Sequence, residues 1–96
     1  VKNLLSKIPI SLNKIPKADL ENEILRTAII AEFDAINLYE QMAALTENEH
    51  IKAILLDIAK EEKTHIGEFQ ALLMITDKQQ ETELAEGKKE VEELTE

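Results

Sequence analysis

Glu32, Glu62 and His65 are the residues of this 96-residue chain whose types and positions could do chemistry together. Leu25, Ile29, Glu32, Ile36, Tyr39 and Ala43 recur at alternating steps of four and three. Ile51, Leu55, Ile58, Glu62, His65, Phe69 and Leu72 keep the same alternation. Each set is one face of an amphipathic helix. Two carboxylates and an imidazole therefore stand in stripes otherwise turned towards a core. An unpaired buried charge is costly, so such groups are paired or hold a cation. Hard oxygen donors with one imidazole suit iron or manganese, with zinc possible, and calcium or zinc can stand in at such a site.

The elements must bring the three residues together. Asp19 offers an N-cap and predicts a first helix from there to about Leu45. Thr46-Glu47-Asn48-Glu49 has the capping-box form and predicts a tight connection into a second helix over Glu47–Ile75, antiparallel to the first. Glu32 then lies about 15 residues before the turn and Glu62 about 15 after it, each roughly 22 Å away at 1.5 Å of rise per residue. His65 follows one turn further on the same face. The spacing thus predicts convergence at one depth.

One chain supplies one Glu and one Glu-x-x-His. A four-helix carboxylate di-iron site needs twice that set. A lone hairpin also leaves a broad apolar face uncovered, so the missing half-core and the missing half-site call for the same symmetric dimer.

Other candidates weigh less. Glu47-Asn48-Glu49-His50 repeats the Glu-x-x-His pattern at the turn, off the core stripe, and reads as solvated helix-start charge. Tyr39 shares the Glu32 stripe, either as an amphipathic core residue or as a partner of the site. Asp34, Glu61 and Glu68 fall off the stripes and read as surface carboxylates, although Asp34 could draw cations inward.

The composition fits this frame. Hydrophobic residues make up 44% and aromatics 3%, with two Gly, two Pro and no Cys. That favours helices and excludes thiolate metal sites, thiol catalysis and disulfides. The formal charge is −9, and all 20 acids follow residue 18. Such a surface repels nucleic-acid phosphates and attracts cations. No apolar run matches a membrane span, and Pro9, Asn13 and Pro16 interrupt anything like a signal peptide. Residues 1–18 read as an extended apolar and basic arm, lying against a helix or subunit or docking on a larger partner. Residues 19–76 form the hairpin. Residues 77–96 predict a short helix before Gly87 and a weaker one after it.

AIIAEFDAINLYEQMA and EEKTHIGEF, about 25 residues apart, resemble the encapsulated ferritins, and the likeness covers roughly residues 20–96. It is strongest to the archaeal form fused to its encapsulin shell, down to the KKEVEELT tail. The resemblance implies a cytoplasmic ferroxidase inside an encapsulin nanocompartment. Its di-iron centre would be shared by a dimer, with Glu32, Glu62 and His65 as ligands, Glu62 as the bridge, Tyr39 nearby and five dimers in a decameric ring. It departs at the acidic entry pair of some members, here Ala31 and Asp34, and at Leu38, where some carry tryptophan. The expected fold is an all-α antiparallel two-helix hairpin with a short C-terminal helix, dimerising into a ferritin-like four-helix bundle. Two other readings use the same pattern: a rubrerythrin-like peroxide reductase, and a non-catalytic helical interaction module.

Overall fold

The structure, a computed structural model, describes residues 16–96, which form α1 (Lys17–Leu45), α2 (Glu49–Thr76) and α3 (Lys78–Thr95). The all-α expectation holds, with no strand among the described residues. The arm expected over residues 1–18 lies outside the described residues except for its end, where Lys17 already opens α1.

Helix α1 starts three residues earlier than an Asp19 cap would place it. Pro16 occupies the cap position, and its carbonyl accepts the Asp19 N–H at 2.8 Å. Proline loses little at a helix start because the first N–H groups have no intrahelical acceptor. Asp19 instead places its charge in the first turn, against the positive end of the helix dipole.

The connection is tight and antiparallel, but the capping box does not form. Asn48 caps α2, its side-chain oxygen accepting the N–H groups of His50 at 2.9 Å and Ile51 at 3.1 Å. Thr46 Oγ1 accepts the Asn48 N–H at 3.2 Å and so steadies the turn rather than the helix. Asn is as good a cap as Thr or better, and its place directly before Glu49 moves the helix start from Glu47.

The seam of the hairpin follows a seven-residue repeat. Ile36 and Ala43 are buried on α1, and Ala59, Ile66 and Leu73 on α2. Such a 3.5-residue period is the geometry of helices packed as in a coiled coil. Ala43 and Ala59 are the least exposed of these, at 2% and 1%, and small side chains there let the helices approach closely. On α2 the buried line runs one residue after the expected stripe. Ile58 and His65 are only part-buried, and Leu72 is exposed. The apolar stripe read from α2 thus straddles the seam and an open face, because a two-helix seam is narrower than the apolar surface the sequence supplies.

Asp77 makes the second corner alone. Its N–H bonds to Leu73 O to close α2, its Oδ1 accepts the Gln80 N–H at 3.2 Å to open α3, and its Oδ2 lies 3.6 Å from Arg26 on α1. The break expected at Gly87 is absent, and α3 runs through it to Thr95. Glycine costs a helix only about 1 kcal/mol relative to alanine, and the Glu-, Lys- and Leu-rich flanks carry the helix across. Helix α3 buries none of its residues and packs sparsely on the hairpin.

Two stability outcomes follow from these corners. Asn48→Ala should lower the urea midpoint by the equivalent of about 1 kcal/mol. Thr46→Ala should cost clearly less, and an equal loss would refute the cap assignment. A Cβ at Gly87 would meet nothing within 4 Å, and no glycine has positive φ. Gly87→Ala should therefore slow amide exchange in α3, by about 0.5–1 kcal/mol of local stability.

Candidate metal centre

Glu32 on α1 meets Glu62 and His65 on α2 at one level of the hairpin. His65 Nδ1 lies 3.3 Å from Glu32 Oε2 and 3.5 Å from Glu62 Oε2. One donor atom from each of the three lies within 4.8 Å of the others. The level match predicted from the turn is therefore realised in the geometry. His65 Nδ1 and Glu32 Oε2 stand within hydrogen-bonding distance across the seam and tie the two helices together.

The electrostatics leave this arrangement short of positive charge. Two ionised carboxylates no more than 4.8 Å apart repel by at least about 3.5 kcal/mol at an effective dielectric of ~20. Their side chains are 20% and 17% exposed, so water screens them only in part. Lys63, on the turn of α2 between Glu62 and His65, pairs with Glu40 at 3.3 Å, is exposed and is spent on another carboxylate. A cation between the acids would relieve the repulsion and take three donors at once, and the donor set is the hard-oxygen and imidazole type that divalent iron or manganese accepts.

The trio sits in the middle of the hairpin's open face. At one end of that face an apolar hollow is lined by Glu21, Ile24, Leu25, Leu72 and Thr76. At the other end lies a second, lined by His50, Ile51, Ile54 and Leu55. Ile24, Ile51, Ile54 and Leu72 are each at least half exposed there. His65, at 44% side-chain exposure, faces the same side.

The remaining candidates fall elsewhere. Tyr39 is part-buried, seven residues and roughly 10 Å of helix rise from Glu32, and takes no part in the hydrogen bonds within the trio. His50, Glu61 and Glu68 are exposed, as read, and the second Glu-x-x-His gathers no group of three donors among the described residues. Asp34 is the correction. The expectation of a surface carboxylate that could draw cations inward meets a side chain only 9% exposed. Its position off the stripe gave no signal of burial. Arg26 and Asp77, which pin α1 to the second corner, also went unread, and only the Thr76-Asp77 stop pointed towards them.

One glutamate facing a Glu-x-x-His on an antiparallel helix is half the ligand arrangement of ferritin-like carboxylate proteins. The comparisons agree. A family profile described as Rubrerythrin matches residues 23–96, and the chain belongs to that ferritin-like family. The chain is 56% identical to the encapsulated ferritin domain from Pyrococcus furiosus, whose crystal structure it matches with a TM-score of 0.82 over 95% of each chain. It is 64% identical over 73 residues to the ferritin-like–encapsulin shell fusion protein of P. furiosus. It is 38% identical over 69 residues to the encapsulin nanocompartment cargo protein EncC of Myxococcus xanthus. Those matches cover 76% and 69% of this chain, but only 21% and 53% of the two relatives' lengths. No described helix is long and apolar enough to cross a membrane.

Proposed function

We propose that this chain is half of a ferroxidase, which oxidises Fe(II) with dioxygen at a centre completed by a second copy. The observation that carries this reading is the trio's place: two carboxylates and an imidazole at mid-length of an open apolar face, flanked by two hollows. A twofold axis through that face would bury both hollows and bring a second trio opposite the first. The pair would then offer four carboxylates and two imidazoles to two Fe(II) ions, whose four positive charges the carboxylates balance.

Each residue has a distinct part. Glu32 and Glu62 supply the negative charge that draws Fe(II) out of water, and Glu62 is the ligand suited to bridge two ions. His65 adds a neutral nitrogen donor, and its release from Glu32 and Glu62 frees both carboxylates to turn towards the metal. Iron here is substrate: each of two Fe(II) would give one electron, and dioxygen would take the pair with two protons from water and leave as hydrogen peroxide. Tyr39, two turns along the same face, would be a neighbour of the completed centre rather than a ligand. The names of the relatives support an encapsulin shell as partner, and the oxidised iron would be stored in its interior. The decameric ring rests on the family likeness. Calcium or zinc would enter only as substitutes.

The test is iron oxidation. Anaerobic Fe(II) followed by air should raise ferric absorbance quickly in the parent. Glu32→Ala and Glu62→Ala should be slower by at least about tenfold. Parent-like rates in both variants would remove the site from consideration. Peroxide offered in place of dioxygen separates the peroxide-reductase reading, which requires the faster turnover to be with peroxide.

A second outcome concerns assembly. Ile54→Glu and Leu72→Glu place charges at opposite ends of the open face, and sedimentation should show smaller species with helicity retained by circular dichroism. Iron oxidation should fall with the loss of mass. Full activity in a monomer would show that one trio suffices.

A further inference from the structure

The side of the hairpin opposite the trio has a different character. At about 100° per residue, Glu32, Glu62 and His65 lie roughly 40–100° to one side of the seam residues Ile36 and Ile66. Arg26, Ile30 and Phe33 on α1, and Lys52, Leu56, Lys60 and Lys63 on α2, lie roughly 40–120° to the other. In an antiparallel pair the same sense of rotation leads to the same side, and two contacts fix it. Lys63 pairs with Glu40 across the seam, and one hollow is lined by Arg26, Ile30 and Gln70 together. Four of the five Lys and Arg residues of α1 and α2 thus share this face, and the fifth, Lys17, stands at the start of α1. Three large apolar side chains among them are open to solvent: Ile30 at 43%, Phe33 at 54% and Leu56 at 46% exposure.

Helix α3 has the complementary surface. Leu84, Val91 and Leu94 recur at steps of seven and three, a narrow apolar stripe of the coiled-coil kind, and all three are exposed. The helix carries six Glu against three Lys, and Glu83 and Glu90 flank the stripe. Two α3 helices packed on each other would set these glutamates face to face, which like charges resist. Nor does α3 serve its own hairpin. The Asp77 corner has no linker, and every residue from Glu81 onwards is exposed.

We propose that α3 of a second copy lies along this basic face, with Leu84, Val91 and Leu94 against Ile30, Phe33 and Leu56. The dimensions match. From Leu84 to Leu94 the helix rises about 15 Å, and from Ile30 to the level of Leu56 the face extends roughly 13 Å. The glutamates beside the stripe then meet Lys60 and Lys63, opposite charges along the rim of an apolar contact. Each copy gives one α3 and receives another, a head-to-tail contact that adds to a symmetric pairing on the trio side without competing for its surface. The charge and apolar pattern of this face carry the assignment, not the ferroxidase reading, and its tests run without iron.

Charge reversal in the full chain tests the contact. Lys60→Glu with Lys63→Glu, and separately Glu83→Lys with Glu90→Lys, should each raise the dissociation constant for self-association in sedimentation by about tenfold, with helicity retained by circular dichroism. An equal mixture of the two variants should assemble like the parent, because the altered helix of one then meets the altered face of the other. Cross-linking locates the contact. The chain has no cysteine, so introduced thiols report on chosen positions alone. Phe33→Cys mixed with Val91→Cys should form a disulfide between chains about tenfold faster than Ile54→Cys mixed with Val91→Cys, Ile54 being exposed on the trio side. Equal rates on the two sides would overturn the proposal. So would charge variants that assemble like the parent, or a mixture that fails to recover. A disulfide closing within one chain that carries both Phe33→Cys and Val91→Cys, at a rate independent of dilution, would assign the face to the chain's own helix and overturn it equally.

Discussion

Two carboxylates held within 4.8 Å need positive charge between them, and the rest of this structure is arranged around that requirement. Neither helix meets it alone. Glu32 comes from α1 and Glu62 from α2, so their approach depends on the Asn48-capped turn and on the register of the seam. The His65 ring bridges them with one nitrogen. That suffices to hold the geometry, but three donors fall short of what a divalent transition metal takes up.

The seam explains why the site is half exposed. A seven-residue repeat buries one line on each helix, with alanines at the tightest points. Everything beside that line, including both glutamates, sits on a shoulder. Apolar residues left on the shoulder form the hollows at either end of the trio. The open apolar surface and the exposed side of the metal-ligating trio therefore lie on the same side of the molecule.

The chain's periodicity made the hairpin, its antiparallel sense and the level match of Glu32 with Glu62 legible, because these depend on spacing and rise. Finer features depended on competition between near-equal local options. Pro16 took the cap position from Asp19, Asn48 from Thr46, and Gly87 failed to break a helix whose neighbours favour it. The α2 stripe was one residue out for the seam, because a stripe that serves two interfaces shows a single averaged direction. Asp34 was illegible for a different reason: nothing in its own helix's pattern reveals what lies against the far side. Its burial is a property of the tertiary structure.

The corner at Asp77 has a mechanical consequence. One residue ends α2, begins α3 and holds Arg26, with no linker between the helices to absorb motion. Helix α3 has 18 residues, so it projects about 27 Å from this point. A rotation of about 10° at Asp77 would swing Thr95 through about 5 Å, while hardly disturbing the hairpin. The direction of the tail relative to the hairpin is thus set at a single residue.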